Sequence, residues 1–431
     1  MGARGTRHNG WRGPEICWQG KDQVLVPSGV DGYEWVSPDD PRVSGEAVLD
    51  VRSQTRPRRT SAGAASGLLV CADAFDALRN KTVRAACDAN GGVRLIYIDP
   101  PYNSRQGYGQ YSDSLDHAVW LSMLRDRLLL AKTMLSPTGS VWVHLDDSET
   151  HRARLLLDEV FGEEAFVATI VWQKRTTRDS RAAFSINHEY IHVYAPLGPK
   201  GWKRTRNTIA KIGAEFRNRD DDPRGPWTDA PFTAPGFRRN QHYVIVNPAG
   251  DELRPPRGRS WYATEAVYQQ LVADNRIWFP RKGSGLPRIK LFPTDVRGLV
   301  PFTLWGPDHT GTNDDATRHL LSLFPDREAF ATPKPESLLH KIIHIGSDPG
   351  DLVLDFFAGS GTTAAVAHKM GRHWIAVERS SAVVETYAEP RLSRVVAGAD
   401  PGGITELVHW EGGGSFRSLM ARASASIEQA S

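Results

Sequence analysis

The feature that most constrains the fold is a series of short apolar runs that alternate with helical patterns and stop at polar turn residues. The runs LLVC, RLIYI, SVWVHL and LVLDF are each followed by a segment with apolar residues at helical spacing. Apolar runs bounded by turn signals and alternating with helices are typical of a parallel sheet that is covered on both faces. The sequence therefore predicts an α/β fold in which helices flank a mixed, mostly parallel sheet.

The alternation is interrupted in the middle of the chain. It holds over residues 67–174, breaks down over 175–330, where Pro, Gly, Trp and Arg are scattered, and resumes over 331–410. We interpret the two regular stretches as halves of one domain and residues 175–330 as an inserted domain. Residues 1–66 have the composition of a peripheral extension and linker, and residues 411–431 that of a flexible tail.

A glycine-rich loop follows one of the predicted strands, in LVLDFFAGSGTT at residues 352–363. Gly359 and Gly361 permit positive φ and a close approach of a ligand to the backbone. The next strand ends at Glu378, in the position where an acid commonly holds a ribose diol. This arrangement predicts an adenosine-bearing cofactor. NAD is less favoured because the GxGxxG spacing is absent, and a tight turn without a ligand stays open.

A second candidate site is the turn Asp99-Pro100-Pro101-Tyr102, which follows the strand RLIYI. The two prolines fix φ and stiffen the turn, so that the Asp99 carboxylate and the Pro100 carbonyl keep a set orientation. Two such acceptors beside an aromatic ring suit a planar amine, such as the exocyclic NH₂ of a nucleobase. A base within a duplex must be flipped out to reach them. The alternative is a proline-rich turn that only ends a strand.

Together the two motifs resemble those of the amino-methylating DNA methyltransferases that use S-adenosylmethionine. In that family DPPY is the catalytic motif, and a loop of the LDxFxGSGTT type binds the cofactor. The catalytic motif comes first here, as in the β group, and the resemblance extends over about residues 68–395, including HEYIHVYA and FATPKPESLLHKII. The chain is similar to the modification subunits of type III restriction–modification systems and to stand-alone adenine-N6 enzymes. The resemblance implies a Rossmann-like S-adenosylmethionine-dependent methyltransferase fold with an inserted target-recognition domain.

The resemblance also implies roles for particular residues. Asp99 and the Pro100 carbonyl would hold the target amino group, and Tyr102 would stack on the base. The residues implied in the cofactor site are Asp355, Phe356, Phe357, Ala358, Gly359, Gly361, Thr362, Glu378, Lys334 and Pro335. DPPY resembles the adenine-N6 branch of the family, and cytosine-N4 methylation is the alternative. A DNA-binding module that has lost catalysis is a further alternative.

The central region is strongly basic, although the whole chain carries a formal net charge of only +3. Between Gln173 and Val300 there are 23 Lys and Arg residues against 12 Asp and Glu residues, a local charge of +11. Such segregated charge predicts a DNA-binding surface. The candidate contacts are Lys174, Arg175, Arg178, Arg238, Arg239, Arg257, Arg281 and Lys282. The alternative for any one residue is a solvated surface charge, and for the interleaved tryptophans a place in a small core.

Several other expectations complete the prediction. The substrate is double-stranded DNA, and a homodimer or a restriction subunit stays open as a partner. Three cysteines give no disulfide framework, and the histidines show no ligand spacing, so no metal is predicted. The sequence shows neither a secretory signal nor an apolar run long enough for a membrane span. We therefore expect a cytoplasmic, nucleoid-associated protein of a prokaryote or phage that does not bind membranes.

Overall fold

The chain divides into two units in the structure, which is a computed structural model. It describes residues 14–29, 32–55, 65–104, 115–209, 216–293, 295, 298–328 and 330–422. One unit comprises residues 1–207 and 302–431, and the other comprises residues 208–301. Part of the predicted linker, residues 56–64, and the end of the predicted tail, residues 423–431, lie outside the described residues.

The strands are numbered in chain order. They are β1 (Val24–Ser28), β2 (Gly32–Val36), β3 (Leu49–Gln54), β4 (Ser66–Cys71), β5 (Val93–Ile98), β6 (Leu135–Leu145), β7 (Phe166–Gln173), β8 (His188–Tyr194), β9 (Thr228–Pro231), β10 (Thr233–Pro235), β11 (Ile245–Val246), β12 (Glu252–Leu253), β13 (Arg259–Trp261), β14 (Ile277–Trp278), β15 (Arg288–Leu291), β16 (Leu304–Trp305), β17 (Leu352–Asp355), β18 (His373–Glu378) and β19 (Ser415–Ala421).

The helices are numbered in the same way. They are α1 (Pro41–Ser44), α2 (Ala74–Ala77), α3 (Lys81–Asp88), α4 (His117–Lys132), α5 (Thr150–Phe161), α6 (Gly198–Trp202), α7 (Glu265–Ala273), α8 (Asn313–Leu323), α9 (Glu336–Gly346), α10 (Thr362–Lys369), α11 (Ser381–Val383) and α12 (Glu389–Ala397). A π-helical turn at Val384–Ala388 joins α11 to α12.

The first unit is built on a mixed, mostly parallel sheet of ten strands in the order β16-β7-β8-β6-β5-β17-β18-β4-β19-β3. Strand β8 runs antiparallel to both of its neighbours, β3 runs antiparallel to β19, and the remaining pairs are parallel. The sheet is therefore Rossmann-like, as predicted. Because β5, β17, β18 and β4 are parallel neighbours, the residues that follow them emerge at one edge of the sheet.

Both faces of this sheet are covered by helices. On one face, alternate strand residues such as Ile96, Val143 and Leu354 form a continuous core with helices α3, α4 and α5. On the other face, Gly346 of α9 lies against Leu95 of β5. The buried apolar runs are thus explained by helix packing on both sides.

The second unit, residues 208–301, consists of short antiparallel strands and helix α7. Strands β14, β15 and β9 form one sheet, while β10 pairs with β13 and β11 with β12. The core contains Phe232, Ile245, Trp261 and Tyr268, all of them buried. Trp227 is also fully buried, so these tryptophans belong to a small core.

The structure corrects the predicted domain boundaries. The inserted unit spans 208–301 rather than 175–330, because β8 is an internal strand of the large sheet and α8 and β16 belong to the first unit. Residues 415–421 are a strand rather than part of a flexible tail, since β19 pairs with β4 on one side and β3 on the other. The supposed peripheral extension likewise contributes β3 to the sheet edge. Sequence composition missed these pairings because partners so distant along the chain leave no local signal.

Candidate active site

The two predicted motifs line one cleft at the carboxyl ends of the parallel strands. The cleft has a volume of about 540 Å³. The predicted site residues that line it are Asp99, Pro100, Pro101, Tyr102, Lys174, Lys334, Asp355, Phe356, Phe357, Ala358, Gly359, Thr362 and Glu378. The DPPY turn follows β5 and the glycine loop follows its neighbour β17, which explains why motifs some 250 residues apart in sequence come together.

Two residues predicted for the cofactor site do not line the cleft, and each of them instead caps the start of a helix. Gly361 is the N-cap of α10 with a φ of 77°, and a Cβ there would lie 3.4 Å from Ala388. Pro335 is the N-cap residue of α9. Both residues set the start of a helix whose neighbouring residues do reach the cleft.

Hydrogen bonds to neighbouring elements fix the DPPY turn. Trp120 of α4 donates its indole N–H to the Pro101 carbonyl at 2.6 Å. Asn103, in left-handed backbone with a φ of 57°, donates from Nδ2 to the buried Glu149 carboxylate at 2.8 Å. The turn is therefore held on both sides of Tyr102.

The Asp99 carboxylate is engaged through both of its oxygens. The Tyr102 hydroxyl donates to Oδ1 at 2.6 Å, and the Lys334 ammonium lies 2.8 Å from Oδ2. The same ammonium lies 5.2 Å from the centroid of the Tyr102 ring. Lys334 was predicted for the cofactor site, and the structure places its ammonium group directly on the DPPY turn.

A buried carboxylate behind the turn, Glu189 of β8, was not singled out in the sequence. It is only 3% exposed, yet its oxygens lie 2.9 Å from Lys174 Nζ, 2.9 Å from His144 Nε2 and 3.7 Å from Lys334 Nζ. Burial would raise its pKa, but Lys334, His144 and Lys174 hold the pKa well below its ordinary value. The signal in the sequence was a glutamate within the otherwise apolar and aromatic strand HEYIHVY.

The cluster of charged residues around Glu189 extends into the interior of the sheet through the aromatic side chain of Tyr97. The Tyr97 hydroxyl and His144 Nδ1 are 2.8 Å apart, and Tyr102 Oη donates toward Glu189 at 3.3 Å. Burial and, to a lesser extent, the nearby carboxylates of Asp99 and Glu189 raise the pKa of Tyr102 well above 10. Tyr102 is thus a neutral donor over the whole range in which the protein would work.

Two acids, at the ends of β17 and β18, lie in the cleft beside the glycine loop. Asp355, at the end of β17, accepts from the Phe357 N–H at 3.0 Å, and burial raises its pKa to about 7. Glu378, at the end of β18, accepts from the N–H groups of Gly359 at 2.8 Å and Ser380 at 2.9 Å. Burial raises the pKa of Glu378 as well. Gly359 has a φ of 49°, which favours glycine.

The candidate DNA contacts fall into different environments. Lys174 is bound to Glu189 inside the cleft, so the structure gives this predicted DNA contact a different position. Arg175 is half-buried and Arg178 is exposed. The remaining candidates, which are all exposed on the second unit, are Arg238, Arg239, Arg257, Arg281 and Lys282.

One cluster of potential metal ligands lies among the described residues, namely His319, Glu336 and Asp400. The Lys369 ammonium lies 2.8 Å from Glu336 and 2.7 Å from Asp400, and Arg391 lies 2.9 Å from Glu336. Two cations thus already occupy the positions around these carboxylates.

Comparison with known proteins identifies the family of this chain. A DNA methylase family model matches residues 93–389, which include both motifs and Glu189. The chain belongs to the DNA methylase family. The match spans both units and also contains the irregular central segment.

Two relatives of this chain are named as a Mod subunit and as a methyltransferase. The StyLTI Mod subunit of a type III restriction–modification enzyme from Salmonella typhimurium is 33% identical over 304 residues, which cover 63% of this chain and 46% of that protein. The type II methyltransferase M.EcaI from Enterobacter cloacae is 29% identical over 307 residues, covering 68% of this chain and 63% of the relative. The chain thus spans about half to two thirds of the length of these relatives.

Solved structures give weaker similarities. The crystal structure of the M1.HpyAVI–SAM complex aligns over 75% of this chain and 99% of its own, with 16% identity and a TM-score of 0.37. The cytosine-N4-specific PvuII DNA methyltransferase aligns over 80% of this chain and 91% of its own, with 14% identity and a TM-score of 0.40.

Among the described residues, no helix is long and apolar enough to cross a membrane.

Proposed function

We propose that this chain is a site-specific DNA methyltransferase that transfers a methyl group from S-adenosylmethionine to the N6 amino group of adenine. The observation that carries the proposal is the position of the Asp99–Tyr102 turn and the glycine loop on the same cleft. A site for an amino group and a site for an adenosine-bearing cofactor are thereby brought within reach of each other. Membership of the DNA methylase family supports this assignment.

The residues of the glycine loop fit the proposed cofactor. S-adenosylmethionine supplies both the electrophilic methyl group and its own leaving group. Asp355 offers a buried carboxylate toward a cationic ligand, and Glu378 offers one toward a ribose diol. The aromatic ring of Phe357 lies between them in sequence and lines the same cleft.

The Asp99 carboxylate would hold the adenine amino group, with the Pro100 carbonyl as the second acceptor. Binding two N–H groups localises the nitrogen lone pair, which is otherwise delocalised into the ring. Asp99 Oδ2 is engaged by Lys334, so the incoming amine must displace this ammonium. Glu189, 3.7 Å from Lys334 Nζ, offers it another carboxylate without exposing the charge.

The amine loses a proton when it becomes methylated, and Asp99 is positioned to accept it. Tyr102 keeps its own proton because its pKa is strongly raised, so it acts as a donor to Asp99 and as a ring surface for the base. Through its contact with Asp99 the phenol also orients the carboxylate.

The second unit would bind the duplex, because its exposed arginines can contact phosphates and base edges. The target base would be flipped into the cleft. Since relatives are named Mod subunits of restriction–modification enzymes, a restriction subunit is a proposed partner, and a homodimer is another. The proposed location is the cytoplasm, where the DNA substrate of such enzymes lies.

A methyl-transfer assay tests the proposal. Purified protein is incubated with tritium-labelled S-adenosylmethionine and unmethylated duplex DNA, and the DNA is digested to nucleosides. Label in N6-methyladenine is the expected result. Label in N4-methylcytosine would refute the choice of base, while bound cofactor and bound DNA without transfer of label would favour a silent DNA-binding module.

A further inference from the structure

A β-hairpin that precedes the family match lies beside the cleft. Strands β1 and β2 pair in antiparallel orientation, with Val24 opposite Val36 at one end and Ser28 opposite Gly32 at the other. The hairpin packs on helix α4: the Leu25 N–H donates to Asp126 at 2.7 Å, and the Trp35 indole donates to Ser122 at 3.2 Å. With Leu25 only 1% exposed, the hairpin is fixed to the catalytic unit.

This hairpin delivers one side chain, Tyr33, to the wall of the cleft. Two guanidinium groups lie near the phenol ring, with that of Arg127 5.1 Å and that of Arg379 4.6 Å from the ring centroid. Its hydroxyl donates to Asp73 at 3.3 Å, and Asp73 is bound to the fully buried Arg127 at 2.6 Å. Tyr33 is therefore held in one orientation.

The backbone of the hairpin also contacts Arg379. The Gly32 carbonyl accepts from Arg379 Nη2 at 3.1 Å, and Arg379 directly follows Glu378. Residues 32 and 33 thus contact the loop whose acid is assigned to the ribose. Neither residue lies within the segment 93–389 that matches the family.

Strand order shows which end of the cofactor this region would meet. The order β5-β17-β18-β4 places Asp99, Asp355, Glu378 and Asp73 successively along the sheet edge. Neighbouring strands are about 4.8 Å apart, so each step moves along the cleft by about that distance. If the methyl group lies at Asp99 and the ribose at Glu378, the next position is that of the adenine.

We propose that the β1–β2 hairpin is part of the cofactor site and that the Tyr33 ring packs against the adenine of S-adenosylmethionine. This inference rests on the proposed function. Strands β1 and β2 flank the adenosine end of the cleft, and the contacts of Tyr33 with Arg127, Arg379 and Asp73 hold the ring in place before the cofactor binds. Aromatic contact with a nucleobase suits such a preorganised side chain.

Ligand binding tests the proposal without an activity measurement. Dissociation constants for S-adenosylmethionine and for its fragment 5′-methylthioadenosine are measured by calorimetry on the full chain. Tyr33→Ala should raise both constants by about tenfold, because the contact is to the adenosine part that both ligands share. Tyr33→Phe should stay within about twofold of wild type, since the ring is retained.

Glu34→Ala is the matched control, because Glu34 is an exposed neighbour on the same strand. Thermal unfolding of the ligand-free proteins separates lost contacts from lost folding, and Tyr33→Leu replaces the alanine variant if that variant unfolds. Wild-type constants in Tyr33→Ala or Tyr33→Leu would overturn the inference and leave the proposed function standing. A wild-type protein that binds neither ligand would overturn both.

Discussion

The candidate active-site cleft and the second unit both contain many charged residues, but these residues have different kinds of partner. In the cleft, Lys174 is paired with the buried carboxylate of Glu189 and Lys334 with the half-buried carboxylate of Asp99. The described basic residues of the second unit include two groups. The paired group is Arg219, Arg224, Arg276, Arg288 and Lys290, which bind aspartates of the same unit. The exposed group is Arg238, Arg239, Arg257, Arg281 and Lys282.

The comparison shows that residue type alone does not reveal whether a basic residue has a binding or a structural role. Lysines 174 and 334 would be read as ligand contacts, yet their charges are balanced within the protein. Conversely, the local charge of +11 over residues 173–300 overstates the basic surface that is free to contact a ligand, because several of these basic residues are paired with acids of the protein. Mutation of a paired charge is therefore expected to change protein stability, whereas mutation of an exposed charge on the second unit is expected to change DNA binding.

The largest effect is expected at the catalytic turn. Asp99→Asn removes the charged acceptor of the amine and of its proton, so methyl transfer should fall by about 10³-fold. The dissociation constant for S-adenosylmethionine should change little, because Asp99 lies beside the base position. Transfer of label at the wild-type rate by a folded Asp99→Asn protein would refute the assignment.

A second prediction concerns the buried carboxylate behind the turn. Glu189→Gln leaves Lys174 and Lys334 with one carboxylate between them, so the free energy of unfolding should fall by about 3 kcal/mol. Urea denaturation measures this change. Glu189→Gln combined with Lys174→Met restores the charge balance and should recover part of the loss. Equal stability of Glu189→Gln and the exposed control Glu34→Gln would show that the cluster is not coupled.

The two groups of basic residues in the second unit can be separated by mutation. Arg238→Ala with Arg239→Ala should weaken DNA binding by about tenfold at low salt and reduce the slope of log K against log salt by up to about 2. Arg224→Ala should instead lower the free energy of unfolding by about 1–2 kcal/mol, because it leaves the buried Asp222 with fewer donors. If Arg224→Ala weakens DNA binding as much as the double variant without loss of stability, the division is wrong.

A further expected effect, of about the same size, is a pH dependence of cofactor binding. Asp355 has a pKa of about 7, so it is mainly neutral at pH 6 and mainly ionised at pH 8. A carboxylate attracts the cationic cofactor, so the affinity should rise by about tenfold from pH 6 to pH 8. Calorimetry at both pH values measures the change, and Asp355→Asn should bind with an affinity that is flat over this range.

Sequence alone determined much about this protein. The alternation of apolar runs with helical patterns predicted the α/β sheet, and the DPPY turn and glycine loop indicated the family and the residues of the site. The inferences on fold and family succeeded because strand burial, turn geometry and loop backbone are local properties of short segments. Residues such as Asp99 and Glu378 directly follow or end such strands, so their placement at the sheet edge could be foreseen.

Only the tertiary structure decided which distant residues meet. Strand β19 lies between β3 and β4, the β1–β2 hairpin brings Tyr33 to the cleft, and Glu189 lies between two lysines from other segments. Each depends on pairing between residues about 15 to 370 positions apart, for which the local composition carries no information. The physical reason is that a buried charge is stable only beside its partners, and the fold rather than the local sequence determines where those partners lie.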